Sequence, residues 1–111
     1  MVSEQPPNES VGEIEAVLGG DATREIVRLF LGGFPESFRS LGAGNREDQL
    51  RMIHGLKSSA LHMGATGMSE RLAALEARLN AEEEAITPQD LAGILSDFGA
   101  VEPALRRYAG K

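Results

Sequence analysis

The sequence predicts an all-α protein in which four amphipathic helices form an antiparallel, up-down-up-down four-helix bundle, preceded by a short additional N-terminal helix. The first observation is that apolar residues recur at steps of three and four along most of the chain, which is the helical period. The second is that no segment alternates apolar and polar residues as a half-buried strand would. The third is that short turns join the helices, which favours antiparallel neighbours.

Length, composition and charge indicate one domain. The chain has 111 residues, which suffice for a single hydrophobic core, and we expect a flexible tail over residues 1–9 and a helical domain over residues 10–111. Cysteine is absent, which excludes disulfides and thiolate metal sites. Neither a signal-like start nor an apolar run of about 18 residues is present, so we expect a cytoplasmic protein. The net charge of −6 argues against nucleic acid and membranes as partners.

Capping signals and glycines delimit the first two helices. Ser10 and Glu13 have the form of a capping box, which opens a short helix. The apolar residues of this helix are Ile14, Val17 and Leu18. Gly19 and Gly20 should end it, and Asp21 can cap the second helix.

The second helix carries a broad apolar stripe with a weak point in its middle. The stripe consists of Ile26, Val27, Phe30, Leu31, Phe34, Phe38 and Leu41. Its steps of three and four residues predict one buried face. Gly32, Gly33 and Pro35 weaken the middle, because glycine lowers helix propensity and proline removes a backbone hydrogen bond. We expect a kink there, with a break as the alternative.

An N-cap residue, a glycine that ends a helix and two apolar stripes predict the third and fourth helices. Asn45 is a suitable cap for the third helix, and Gly64 should close it. The core side of the third helix comprises Leu50, Ile53, Leu56, Ala60 and Leu61. The core side of the fourth helix comprises Met68, Leu72, Leu75 and Leu79. The acidic run at residues 82–84 should be solvated.

The fifth helix has the clearest start signal. Thr87 supplies a cap, Pro88 fits the first turn, and the acid of Asp90 is favourable near the positive end of the helix. The apolar stripe that follows is Leu91, Leu95, Phe98, Val101, Leu105 and Tyr108. Gly99 and Pro103 interrupt this stripe, so the last turns can bend or start a new helix.

A short segment of the third helix, from His54 to Ala65, carries most of the chemical information. Residues three and four apart are neighbours on a helix, so His54 lies beside Lys57 and Ser58. A neutral imidazole nitrogen is a good nucleophile near neutral pH, and an ammonium can attract a phosphoryl oxygen as a point charge. A histidine at the edge of an apolar arc is, taken alone, more often a boundary residue, so the surrounding pattern carries the functional hypothesis.

This segment resembles the phosphorylation site of histidine-containing phosphotransfer (HPt) domains. The run from His54 to Ser59 reads His-Gly-Leu-Lys-Ser-Ser, and Gly64 and Ala65 follow at the family's distance. The resemblance implies a phosphorelay intermediate that accepts a phosphoryl group on His54 from a phosphoaspartyl receiver domain and passes it to another receiver. It implies a stoichiometric carrier and not an enzyme. The implied partners are response-regulator receiver domains or a hybrid sensor histidine kinase.

The resemblance also assigns roles to single residues. His54 would be the phosphoacceptor and Lys57 the electrostatic partner of the phosphoryl group. The expected binding residues are Arg51, Ser58, Ser59 and Leu61. Ser58 stands where the family often has glycine, and both residues leave room for a partner to approach. We expect no cofactor or metal on this chain, Mg²⁺ in the partner receiver, no small-molecule substrate, and a monomer.

Simpler interpretations of these residues stay open at this stage. Lys57 and Arg51 can be solvated surface cations, and Ser59 can serve packing alone. His62 is the rival acceptor, but it lies about 80° around the helix from His54, and its sequence neighbours lack a cation, so a structural or solvated role is the better interpretation.

Several enzyme classes lack their motifs. The sequence has no phosphate-binding glycine loop, no nucleotide-binding box and no strand-ending aspartate of a receiver domain. Two histidines without cysteine, and without a His-x-x-x-His pair, make a poor transition-metal site. The alternative function is a helical binding module or scaffold that grips a receiver without accepting phosphate, and a third possibility is a purely structural bundle.

Overall fold

The computed structural model describes residues 5–81 and 85–110, and this part of the chain is almost entirely helical. Its five helices are α1 (Glu9–Leu18), α2 (Gly20–Ala43), α3 (Arg46–His62), α4 (Thr66–Asn80) and α5 (Pro88–Ala109), and no strand occurs within those ranges. The predicted all-α class and the predicted order of helices are therefore confirmed. Residues 1–4 of the expected tail and the acidic run at 82–84 lie outside the described residues.

Contacts between helices define which elements are neighbours. Helix α2 packs against α3 and α5, and α4 packs against the same two helices. Helix α1 lies against α2 and α3. Over the described ranges, no Cα atom of α3 lies within 8 Å of a Cα atom of α5. The molecule is elongated, with extents of 44 × 23 × 19 Å. Helix α3 consequently has α2 and α4 at its sides and α1 near one end.

The first two helices begin at other residues than those predicted. Asn8 is the N-cap of α1, with its side-chain oxygen accepting from the Val11 amide at 2.9 Å, so the capping box expected from Ser10 is wrong. Asn8 also donates to the Met63 carbonyl at 2.8 Å, which ties α1 to the end of α3. Gly19, at φ 84°, caps α2, and Asp21 lies in the first turn instead. Glycine adopts this left-handed φ without steric cost, which lets two helices follow one another directly.

The predicted caps of the later helices are confirmed. The Asn45 side chain accepts from the third amide of α3 at 2.9 Å. Thr87 and Asp90 form a complete capping box, and Pro88 occupies the first position of α5. Gly64 has φ 78° and follows α3, where the Asn8 side chain packs so closely that a Cβ would collide with it. This glycine fixes the tight turn between α3 and α4.

Proline and glycine do not break either long helix. Helix α2 continues through Pro35, and α5 continues through Pro103, so the alternative of a break in α2 is wrong. A proline inside a helix lowers the stability of that helix by about 3 kcal/mol. In α2, the burial of apolar side chains before and after Pro35, such as Phe34 and Leu41, offsets this loss. Phe34 is buried beside Pro35 and stacks on Phe98 of α5 with ring centroids 3.8 Å apart. Whether either helix bends stays a prediction.

Most predicted core positions are buried, with two errors. Within the described residues, the buried apolar side chains are Val11, Val27, Leu31, Phe34, Leu41, Ile53, Leu56, Ala60, Met63, Ala65, Met68, Leu72, Leu75, Leu79, Ile94, Phe98, Leu105, Tyr108 and Ala109. Leu61 and Leu95, predicted on core faces, are 55% and 51% exposed. The neighbours Ala60 and Ile94 take the buried positions, and adjacent residues on a helix point about 100° apart. Leu61 and Leu95 therefore face solvent.

Candidate functional site

His54 lies on the outer surface of α3. The core face of this helix is formed by Ile53, Leu56 and Ala60, which are buried against the neighbouring helices. His54 follows Ile53 directly, so the turn of the helix carries its side chain away from the core. The imidazole is 76% exposed. A partner protein can therefore reach this ring, as a phosphoacceptor requires.

One carboxylate on α4 joins the histidine and the predicted cation. Glu76 Oε1 accepts a hydrogen bond from Lys57 Nζ at 2.6 Å, and its Oε2 lies 3.6 Å from His54 Nδ1. The second distance is longer than a hydrogen bond. Glu76 is placed there by Leu72, Leu75 and Leu79, whose burial aligns the edge of α4 with α3.

The electrostatics keep this carboxylate charged. The hydrogen bond from Lys57 lowers the pKa of Glu76, partial burial raises it, and the charges of Lys57 and His54 lower it further, so the net shift is downward. Glu76 is 21% exposed, which limits screening by water. The ring nitrogen that faces it is Nδ1, and Nε2 is the nitrogen farther from the carboxylate. The carboxylate of Glu76 thus lies between the imidazole of His54 and the ammonium of Lys57.

Lys57 is half-buried and bonded, which excludes a freely solvated lysine. Its side chain is 30% exposed, and its ammonium lies 2.6 Å from the Glu76 carboxylate. The Ser69 hydroxyl donates to the Lys57 carbonyl at 3.3 Å, which adds a tie between α3 and α4. The ammonium therefore sits at a defined place on the His54 side of α3.

The other predicted site residues lie on α3 near His54, but they are not bonded to Glu76. Arg51 is exposed and pairs with Asp48 one turn earlier on the same helix. Ser58 and Ser59 are exposed. Leu61 is exposed as well, which removes it from the core and leaves it available to a partner. The structure thus brings Lys57 to His54 through Glu76 and places the remaining candidates on the same accessible helix.

An open groove runs between α2 and α3 beside His54. Its volume is about 750 Å³. Helix α3 contributes Arg51, Gly55 and Ser59, and α2 contributes mainly apolar side chains such as Leu29 and Phe30. Leu29, which lines this groove, is exposed, and the exposed Val17, Leu18 and Leu61 line a second groove beside His62. Exposed apolar residues of this kind, close together and rimmed by polar ones, are typical of a protein-binding surface.

Glu76 is the residue of the candidate site that the sequence did not predict. The signal that could have found it is the turn at Gly64 and Ala65. A chain that folds back there pairs residues at equal distances from the turn, and His54 lies ten residues before Gly64 while Glu76 lies eleven after Ala65. The apolar stripe of α4 predicts only the buried face of this helix, and Glu76 stands at the edge of that face.

Comparison with known families identifies the domain. A family model described as the Hpt domain matches residues 12–107. The chain belongs to the Hpt domain family. The match runs from α1 to near the end of α5 and so covers nearly the whole chain. Searches of curated proteins and of solved structures gave no match.

Membership of the Hpt family confirms the resemblance seen around His54 and gives the general role. Hpt domains are phosphocarrier modules, not catalysts, and they act in histidine phosphotransfer within two-component phosphorelays. They interact with receiver domains and histidine kinases. No helix in the described ranges is long and apolar enough to cross a membrane. The matched region contains both His54 and His62, so the choice of acceptor depends on their surroundings.

Proposed function

We propose that this Hpt domain accepts a phosphoryl group on His54 from a phosphoaspartyl receiver domain and passes it to a second receiver. The observation that carries the proposal is the row of His54, Glu76 and Lys57 on an exposed face of α3 and α4. His62 is exposed too, but the other charged residue that lines its groove is the acidic Glu13. A carboxylate there would repel a phosphoryl group. The site around His54 supplies the cation that phosphate requires.

The chemistry assigned to the site is an in-line displacement at phosphorus. Glu76 faces Nδ1, which favours the tautomer with the proton on Nδ1 and the lone pair on Nε2. The Nε2 lone pair forms the new N–P bond while the bond from phosphorus to the aspartyl oxygen breaks, and the carboxylate leaves with that electron pair. Because the transition state is loose and its charge is spread over the phosphoryl oxygens, the protein contributes mainly positioning and electrostatics.

The docking surface in this proposal is α3 together with part of α2. The open groove beside His54 and the exposed Leu29 and Leu61 give a receiver apolar area to cover, and Ser58 lets its backbone come close. The Mg²⁺ and the acidic pocket belong to the receiver, and this chain contributes one nucleophile and one cation. Among the described residues, no group of three or more His, Cys, Asp or Glu side chains could hold a metal ion.

The architecture proposed for this site is an antiparallel four-helix bundle of α2, α3, α4 and α5. Each of these helices packs against two of the others, so they form a closed ring. The connections from α2 to α3 and from α3 to α4 are two and three residues long, which favours antiparallel neighbours. In this arrangement α3 and α4 present His54 and Glu76 on a rigid surface.

The decisive experiment is incubation with a panel of phosphorylated receiver domains, followed by mapping of the phosphate gained. We expect at least one receiver to transfer its label and the adduct to be a phosphoramidate on His54, labile in acid and stable in base. A receiver that binds tightly, discharges to another Hpt domain and leaves this chain unlabelled would instead support the alternative of a binding module or scaffold.

Replacing Lys57 with alanine should slow transfer more than it weakens receiver binding. The ammonium stands on the His54 side of α3, where transition-state charge develops, and charge stabilisation acts most strongly there. We expect a loss of about tenfold in rate, which is roughly 1.4 kcal/mol. The measurement is the transfer rate at saturating receiver beside the receiver Kd.

Arg39→Ala is the matched control for the loss of one cation. Arg39 is exposed on α2 and lines the groove between α2 and α5, away from the His54 face. Its removal should leave the transfer rate unchanged. A Lys57→Ala rate within about twofold of wild type, well under 1 kcal/mol, would reduce Lys57 to a structural partner of Glu76.

A further inference from the structure

Another open groove, here called the α2–α5 groove, runs between these two helices on a different face from His54. Its volume is about 710 Å³. Its walls are mainly apolar, with Pro35 and Phe38 from α2 and Leu91 and Leu95 from α5. The groove beside His54 is formed by α2 and α3 instead. An occupant of the α2–α5 groove therefore leaves His54 accessible.

The α2–α5 groove carries both a projecting side chain and space to receive one. Leu95 projects from α5 and is 51% exposed. Gly99, one turn further along α5, lines the same groove, and a Cβ placed on it would meet no atom within 4 Å. A Cβ placed on Gly42 of α2 would meet only Leu91, at 3.6 Å. A surface that offers both parts can receive a copy of itself, because a twofold interface brings the same patch of two chains together.

The charged residues of the groove lie at its two ends and have opposite signs. Gly42 contacts Leu91 at one end, and Arg39 lies one turn from Gly42. Glu102 lies one turn beyond Phe98, at the other end. A twofold axis across the middle of the groove exchanges its ends, so the cation of one copy meets the anion of the other. This arrangement gives two attractive contacts and opposes no like charges.

Both charged residues keep the capacity for a further partner. Arg39 is paired with Glu36, and Glu102 is paired with Arg106, each within its own helix. The Arg39 side chain is 70% exposed, and a guanidinium has five N–H donors. A carboxylate accepts several hydrogen bonds as well. The intrahelical pairs thus hold the two charges at the ends of the groove and leave them able to bond across an interface.

We propose that a second copy of this chain occupies the α2–α5 groove, so that the protein forms a twofold-symmetric dimer in solution. The exposed Leu95 of one protomer packs into the groove of its partner, and Arg39 of each protomer pairs with Glu102 of the other. Each protomer keeps its His54 face free for a receiver. The proposal does not depend on phosphotransfer. It replaces the expectation of a monomer, because the groove exists only after α2 and α5 have packed together.

The test is the oligomeric state of the full chain, measured by analytical ultracentrifugation from about 1 μM to about 1 mM, which brackets a weak dimer. We expect a reversible equilibrium between monomer and dimer. Leu95→Glu places a charge in the apolar interface and should raise the dissociation constant by about tenfold or more. Its thermal melt should be unchanged, because Leu95 is half exposed in the single chain.

Leu29→Glu is the matched control for this substitution. Leu29 is 68% exposed and lines the groove beside His54, so the chemical change is the same on a different face. The dissociation constant of the dimer should stay at the wild-type value. The Leu95→Glu protein, in turn, should accept phosphate from a receiver at the wild-type rate, because the proposed interface excludes His54.

The charges at the ends of the groove test the symmetry. Arg39→Glu and Glu102→Arg each oppose like charges twice in their own dimers, and each should weaken association by about threefold to tenfold. An equimolar mixture of the two variants should associate about as strongly as wild type. In the mixed dimer both contacts join opposite charges, because residue i of one chain meets residue j of the other in both directions.

Three results would overturn the proposal. A mass of one chain at every concentration contradicts the dimer and leaves the groove to a different protein. A dimer that survives Leu95→Glu and is broken by Leu29→Glu places the interface beside His54. A mixture that associates no more strongly than its two components contradicts the twofold pairing of Arg39 with Glu102. Labelling of wild-type His54 by a receiver is measured separately, so none of these results decides the proposed function.

Discussion

Replacing His54 with glutamine should abolish phosphoryl acceptance from every receiver that labels the wild-type domain. Glutamine keeps a polar side chain on the exposed face of α3, but it has no nucleophilic nitrogen. The side chain is 76% exposed, and it donates nothing to the apolar core. We therefore expect the helix content to be unchanged and the free energy of unfolding to stay within about 0.5 kcal/mol of wild type.

The control for this prediction is His62→Gln. His62 lies in the last turn of α3 and is also exposed, so the two substitutions are alike in residue type, helix and accessibility. The His62→Gln protein should be labelled at the wild-type rate. Acid-labile label that persists on His54→Gln and disappears from His62→Gln would move the acceptor to the end of α3, beside α1.

The fold was largely predictable because its signals are local. The α4 stripe is buried as predicted, the α2 stripe is buried or partly buried, and the cap residues Asn45 and Thr87 act as predicted. The errors occur where a tertiary contact decides between neighbouring candidates. Asn8 caps α1 because it also bonds the end of α3, a contact that no local pattern contains. Pro35 stays inside a helix because burial on both sides of it outweighs the lost hydrogen bond.

The candidate site was predictable only in its α3 half. His54 and Lys57 are three residues apart on one helix, so their proximity follows from the helical period. Glu76 comes from another helix, and its contact with both residues depends on how α3 and α4 pack. The sequence also left the surroundings of Lys57 open, because a solvated surface cation and a partner of the phosphoryl group were both allowed. Its ammonium is directed by Glu76, and that partner was not part of the sequence pattern.

The shared carboxylate also changes how Lys57 acts. The sequence predicts that its ammonium attracts a phosphoryl group, and in the structure this ammonium is bonded at 2.6 Å to Glu76. A phosphoryl group on Nε2 competes with Glu76 for this ammonium, so part of the attraction is offset by the bond that is weakened. This competition is why the expected effect of Lys57→Ala is about tenfold and not larger.

Replacing Ser58 with phenylalanine should block receiver docking and preserve the fold. Ser58 lies one turn beyond His54 on α3 and is exposed, so the larger ring projects toward the partner and not into the core. The interpretation in which Ser58 packs inside, where phenylalanine would cost about 1 to 3 kcal/mol of stability, does not agree with this exposure. We expect transfer to fall by about a hundredfold or more, because a displaced nucleophile loses its in-line geometry.

Thermal melts measured beside phosphotransfer rates test this prediction, with Ser58→Gly and Ser96→Phe as controls. Ser58→Gly makes room and should be neutral or faster. Ser96→Phe adds the same bulk at an exposed position of α5, whose described Cα atoms all lie more than 8 Å from those of α3, and it should leave transfer unchanged. A Ser58→Phe protein that melts normally and transfers phosphate at the wild-type rate would place the receiver away from this turn of α3. The docking surface would then have to approach His54 from the side of α4.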